Sequence, residues 1–166
     1  STDLSARSVV ILNDVAPPSA EFTTGVQRFV DGGGGLLVVL GERSGWPAEG
    51  PDLLPATVGA AVDRTTGRGG TLGTIDYSHP IFELFKAARS GDFSAAHFFR
   101  YRSIATHASA SVLARFDDGA VALAERRVGQ GRVLLWTSTL DNFWNDLAVK
   151  PVFLPFVHRA MTYLAR

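Results

Sequence analysis

Runs of apolar residues, and the glycines and prolines between them, divide the chain into a strand–helix–strand unit followed by a series of short strands. Val9 to Leu12 is β-branched and aliphatic and ends in Asn13-Asp14, the pattern of a buried strand entering a polar loop. Pro17-Pro18-Ser19 offers a stop and an N-cap, and Glu21 falls in the first turn. Phe22, Val26, Phe29 and Val30 then recur at helical spacing, which predicts a helix ending at Asp31 and the glycines beyond it. Leu36 to Leu40 reads as a second buried strand. Strand, helix and strand with short connections are the pattern of a right-handed βαβ unit in a parallel sheet.

From Gly41 to Pro55 the chain turns to Gly, Pro and polar residues around Trp46, as a long loop does. Val58 to Thr65 and Thr71 to Asp76 read as two strands joined through Gly67-Arg68-Gly69-Gly70, an expected antiparallel insertion. His79-Pro80 opens a short helix through Phe82, Leu84 and Phe85, followed by a Gly- and Ala-bearing loop. Phe98 to Ile104, Ser111 to Phe116, Ala120 to Arg127 and Arg132 to Thr137 are four further strands. Asp118-Gly119 and Gly129-Gln130-Gly131 supply tight turns between the last three. A final helix is expected from about Lys150, with Phe153, Phe156, Val157, Met161 and Leu164 on its apolar face. The pattern as a whole is α/β, with a parallel sheet, an antiparallel C-terminal portion and a C-terminal helix.

Composition narrows the function classes. A chain of 166 residues, 46% hydrophobic and 19% charged, suits one compact domain with a core of its own. Sixteen basic and sixteen acidic side chains cancel, so no global field attracts nucleic acid or an anionic membrane. The absence of cysteine excludes disulfides, thiolate metal sites and a cysteine nucleophile, and leaves the compartment open. The longest apolar stretch, Gly35 to Leu40, is far shorter than the ~20 residues of a membrane span. The chain begins Ser-Thr with no charged and apolar leader, so we expect a piece of a longer product whose membrane anchor, if it has one, lies outside this chain.

Several motifs invite a chemical reading. Gly32 to Gly35 suggests a phosphate loop, but such loops follow a strand and open a helix, whereas these glycines end a helix and enter a strand. Gly67 to Gly73 lies between two strands and reads as a hairpin loop. Gly41-Glu42-Arg43-Ser44-Gly45 follows a buried parallel strand, where an α/β sheet presents ligand-binding residues at its carboxyl edge. A nucleophile elbow would read Gly-x-Ser-x-Gly; here Ser44 falls one place late and Arg43 stands in the serine's position. Asp141-Asn142-Phe143-Trp144-Asn145-Asp146 follows the strand ending at Thr137 and is rich in acceptors around aromatics. It reads as the lining of a polar pocket or as an Asx-rich loop capping the last helix. The histidines at 79, 97, 107 and 158 show no metal-ligand spacing. His97-Phe98-Phe99-Arg100-Tyr101-Arg102 reads as a strand with alternating faces and not as a nucleic-acid surface.

The strand Val9-Val10-Ile11-Leu12-Asn13-Asp14, its helix, the glycine turn and the strand Leu37 to Gly41 together resemble the central part of class I glutamine amidotransferase-like domains. Asp76 to Phe82, with His79-Pro80-Ile81, is similar to a segment of the trehalose-utilisation branch. The tail Gly129, Arg132-Val133-Leu134-Leu135-Trp136-Thr137, Asn145-Asp146 and Lys150-Pro151-Val152-Phe153 resembles the amidotransferase-like domain of BatA-type, aerotolerance-related membrane proteins. The resemblance implies a flavodoxin-like three-layer sandwich with a mainly parallel sheet. It also implies a cysteine at the elbow and a His-x-Glu after the late strand. Glu42 or Arg43 stands where the family's active members carry the cysteine, and no histidine lies near Thr139 to Asp141. The βα units that usually precede the first strand are absent, so the sheet is smaller or its edge is completed by a partner.

These observations predict a non-catalytic amidotransferase-like domain that binds a small polar ligand or a protein partner within a larger, membrane-anchored protein. The candidate binding residues at the sheet edge are Asn13, Asp14, Glu42, Arg43, Ser44, Asp141, Asn142 and Asn145. A rebuilt hydrolase site using Glu42, Arg43, Asp141, Asn142 and Asn145 is the first alternative, and a homo-oligomeric assembly module is the second. No cofactor is called for by any motif.

Overall fold

A computed structural model describes residues 8–87 and 92–165. The first unit forms as its pattern dictates: β1 (Val9–Asn13), α1 (Ala20–Asp31) and β2 (Gly35–Val39). Ser19 caps α1, its hydroxyl oxygen accepting the Phe22 amide at 3.3 Å. The helix stops at Gly32 and Gly33; Gly33 takes φ 111° while its amide returns to the Val30 carbonyl, a conformation that favours glycine.

The remaining strands are β3 (Ala56–Asp63), β4 (Leu72–Ile75), β5 (Arg100–Thr106), β6 (Ser111–Phe116), β7 (Val121–Val128) and β8 (Gly131–Trp136). The helix α2 (Phe153–Leu164) follows. Six strands form one mixed sheet in the order β1-β2-β8-β7-β6-β4. Only β1, β2 and β8 run parallel; β7, β6 and β4 continue the sheet by antiparallel pairing. The molecule is therefore α/β, and its sheet is mixed where a mainly parallel one was expected.

Alternation along the central strands divides the core in two. Leu36, Val38 and Leu40 of the β2 segment, with Val133 and Leu135 of β8, face one way and pack with Val26 and Val30 of α1. Leu37, Val39, Leu134 and Trp136 face the other way and pack with Phe156, Ala160 and Leu164 of α2. Both strands are thus buried on both faces, which explains their uninterrupted apolar runs. Each such Leu or Val contributes about 1.5–3 kcal/mol by leaving water. Of the expected α2 stripe, Phe156 and Leu164 are buried while Phe153, Val157 and Met161 are partly covered. The helix begins at Phe153, three residues after Lys150.

The expected hairpin between Val58–Thr65 and Thr71–Asp76 does not form. The β3 strand pairs with β5 in a separate two-stranded ribbon, and β4 pairs with β6 at the edge of the main sheet. Arg64 marks the divergence: it forks onto both Asp117 carboxylate oxygens at the β6–β7 turn, and its amide bonds the Phe99 carbonyl. The short helix after His79-Pro80 is a single 3-10 turn at Glu83–Lys86. Of the Gly- and Ala-bearing loop beyond it, residues 88–91 lie outside the described ones, and the rest contains a second 3-10 turn at Phe93–Ala95 that buries Phe93. No helix among the described residues is long and apolar enough to cross a membrane.

Candidate functional site

The carboxyl ends of β1, β2 and β8 converge on one cleft, and each is followed by a polar loop. At the end of β1 the chain turns through Asp14, the one non-glycine residue with positive φ among those described (φ 50°). Aspartate tolerates this region better than most residues, and such conformations gather at functional sites. The Asp14 amide donates to the Val39 carbonyl at 2.8 Å, so the turn is tied to the end of β2.

The loop after β2 is organised around the Asp14 carboxylate. Oδ1 accepts the Ser44 hydroxyl at 2.7 Å and the Arg43 amide at 2.9 Å. Ser44 Oγ in turn accepts the Gly41 amide at 2.8 Å. A Cβ on Gly41 would lie 2.6 Å from Asp14 Cγ, so glycine is required for the two loops to meet. From the ribbon, the Arg102 guanidinium donates to the carbonyls of Gly41, Ser44 and Gly59, joining β3, β5 and the loop. Arg43 itself points outward, its side chain 77% exposed and its Nε 4.0 Å from Asp14 Oδ2.

The loop after β8 supplies the opposite wall. Asn145 is buried, and its amide nitrogen donates to Ser138 Oγ and the Thr139 carbonyl while its oxygen accepts the Leu147 amide. Asp141 closes an Asx turn by accepting the Phe143 amide at 2.9 Å. Trp144 packs inward, with the Arg100 guanidinium 5.6 Å above its ring and 3.5 Å from Glu42. Phe143 is left 82% exposed.

The resulting cleft, about 370 Å³, is lined by Asn13, Asp14, Glu42, Arg43, Thr139, Asp141, Phe143 and Trp144. Five of the eight residues picked from sequence meet there: Asn13, Asp14, Glu42, Arg43 and Asp141. Ser44 and Asn145 are not among the lining residues; their polar groups are spent holding the two loops. Asn142 is exposed outside the lining. Thr139 escaped the sequence reading; the sequence pattern puts Phe143 and Trp144 in a pocket lining or packed inward, and of the two only Trp144 packs inward while both line the cleft.

A larger cavity of about 600 Å³ lies between the Trp46 loop and the starting end of the ribbon, reaching Leu53, Val58 and His107. Its walls come from the far part of the loop after β2 and from the ribbon, whereas the loops after all three parallel strands meet only at the smaller cleft, and we place the candidate site there for that reason. Among the described residues no group of three His, Asp or Glu side chains is placed to hold a metal ion.

A second polar cluster is buried under α2. Glu125 of β7 meets His79 Nε2 at 2.6 Å and accepts the Tyr163 hydroxyl on its other oxygen. His79 Nδ1 accepts the Ile81 amide at 3.1 Å, which assigns the ring proton to Nε2 and occupies both ring nitrogens. Burial pushes the Glu125 carboxyl up, but the His79 and Tyr163 hydrogen bonds outweigh it and hold the group below its ordinary range. Burial first and Glu125 second push the Tyr163 phenol up to about 12. With every member satisfied internally, the cluster anchors α2 and the His79 loop to the sheet.

Fold and cleft together define an α/β domain with a polar site at the carboxyl edge of its parallel strands. No family model matches the chain, and no curated protein matches it. Solved structures share its fold. A cytoplasmic protein of Salmonella typhimurium aligns over 98% of this chain and 74% of its own at 17% identity, with a TM-score of 0.80. A second cytoplasmic protein, from Salmonella typhimurium LT2, aligns over 98% and 71% at 18% identity and a TM-score of 0.67. A β-galactosidase from Bacillus circulans sp. alkalophilus aligns over 99% of this chain but 23% of its own, at 17% identity and a TM-score of 0.62. At these identities the likeness is one of fold.

Proposed function

We propose that this chain is a non-catalytic, ligand-binding domain of amidotransferase-like, flavodoxin-like descent, working as part of a larger protein anchored to a membrane through segments outside this chain. The observation that carries the reading is the state of the elbow loop. A nucleophile elbow holds its reactive side chain on a sharp, strained turn. Here neither Glu42 nor Arg43 has positive φ, and Arg43 extends into solvent. The one strained non-glycine residue among those described is Asp14 on the neighbouring loop, and its carboxylate is used to hold Ser44 and the Arg43 amide. The loop is built as a wall of a cleft, with no activated nucleophile on it. The two helices on opposite faces of the sheet support the three-layer descent.

The purified chain should leave glutamine, simple esters, amides and aryl glycosides unhydrolysed over hours. Turnover abolished by Glu42→Gln or Asp141→Asn would overturn the reading and favour the alternative, a hydrolase with a rebuilt carboxylate pair. That alternative draws on three carboxylates, Asp14, Glu42 and Asp141, lining one cleft. Assembly through the sheet is a third reading, favoured by β1 standing at an uncharged edge with Ile11 50% exposed. A monomer in sedimentation at high concentration would dispose of it.

A further inference from the structure

We infer that the cleft between Asp14, Arg43, Asp141 and Phe143 takes a neutral polyhydroxylated ligand, a monosaccharide or the end unit of a glycan, seated against the exposed ring of Phe143. This deepens the ligand-binding reading above and rests on it.

Charge decides the class first. The lining carries the carboxylates of Asp14, Glu42 and Asp141 against the guanidinium of Arg43, so an anionic ligand meets net repulsion. The charges are nevertheless answered locally. Glu42 has Arg100 at 3.5 Å, and Asp14 has Arg43 at 4.0 Å. A simple cation would therefore compete with guanidiniums already in place and leave the Arg43, Asn13 and Thr139 donors unmatched.

Hydrogen-bonding capacity decides it next. Asp14 and Asp141 each have Oδ1 engaged by backbone amides, and Asp141 Oδ2 has no partner among the described residues. Asp14 Oδ2 faces only the long Arg43 approach. Open acceptors on Asp14 and Asp141 thus line the same cleft as donors on Arg43 and Asn13. Vicinal hydroxyls, each both donor and acceptor, can use both kinds of group. Phe143, 82% exposed beside this polar floor, offers an apolar face to the C–H side of a sugar ring. A cleft of about 370 Å³ accommodates a single sugar unit with bridging water.

The test is calorimetry together with amide-shift mapping on the chain, using glucose, galactose, mannose and mannitol as probes, with n-butylammonium chloride, acetate and inorganic phosphate as contrasts. At least one polyol should bind with a Kd of about 1–10 mM, the range expected for roughly a dozen heavy atoms. Its affinity should be unchanged between low and high salt, as for an uncharged ligand. Phe143→Ala should weaken it about tenfold without moving the unfolding midpoint. Binding of the ammonium or of an anion at Asp14 and Asp141, with no polyol bound, would overturn the inference while leaving a ligand-binding cleft. Polyol binding that Phe143→Ala leaves unchanged would overturn it by placing the site elsewhere. No binding by any probe would overturn the inference and the ligand-binding reading together.

Discussion

Asp14 and Ser44, thirty positions apart, are joined by a 2.7 Å hydrogen bond that fixes the loop after one parallel strand to the loop after its neighbour. Because the Arg43 amide shares the same carboxylate oxygen, the position of Arg43 over the cleft depends on a residue in another loop. Asp14→Ala removes both acceptor interactions and places alanine at φ 50°. It should destabilise the chain by about 2–3 kcal/mol, read from the urea midpoint. Asp14→Asn, which tolerates the backbone and keeps an acceptor, should cost about half as much. Equal costs would mean that the carboxylate charge alone holds the elbow, and that neither the neutral acceptor nor the backbone conformation contributes.

Gly41 is the other half of that junction. Its alanine variant places a Cβ 2.6 Å from Asp14 Cγ, and overpacking of this kind costs about 1–3 kcal/mol. In amide spectra the displacement should reach Asp14 and Ser44 while sparing α2. A spectrum perturbed only at Gly41 would show that the loops are looser than described.

Arg102 acts as a clasp, donating to three carbonyls on two segments. Arg102→Lys cannot reproduce a planar fork and should lose most of the effect of Arg102→Ala, about 2 kcal/mol for three buried or half-buried acceptors. Hydrogen exchange should speed up together at Gly41–Ser44 and along β3. Full stability in the lysine variant would show that a single donor suffices.

The Glu125 cluster makes a pH prediction. Its folded pKa lies below the ordinary value of 4.5, so its stabilisation is present above that value and lost as pH falls through the lower folded one. Urea midpoints of the native chain should therefore fall more steeply below about pH 4.5 than those of Glu125→Gln. The variant should be less stable at pH 7 by about 2–3 kcal/mol, because the His79 and Tyr163 donors lose their charged acceptor. Parallel acid curves for the two proteins would contradict the assignment.

What the sequence made legible follows from where the information is local. The unit β1-α1-β2 announces itself through two short apolar runs, a Ser19 cap and a glycine stop, all within a few residues of the structure they specify. The partners of β3 and β4 are not local. Gly67–Gly70 has the composition of a hairpin turn, but Arg64 pairs with Asp117 and β3 finds β5 far along the chain. The site divides the same way. Asn13, Asp14, Glu42, Arg43 and Asp141 were found because residues after parallel strands gather at one sheet edge. Ser44 and Asn145 have the same composition, and only their tertiary partners reveal them as braces. Glu125, flanked by Ala124 and Arg126 on a strand, gave no hint of burial against His79 and Tyr163.

We propose that the loops after β1, β2 and β8 form one ligand-binding cleft. Amide-shift mapping of the labelled chain against a mixed panel of small polyols, amines and carboxylates tests it most directly. Concerted shifts are expected at Asp14, Glu42, Arg43, Asp141 and Phe143, with the rest of the spectrum unmoved. Shifts confined to the Trp46 and His107 groove, or none at all, would contradict it.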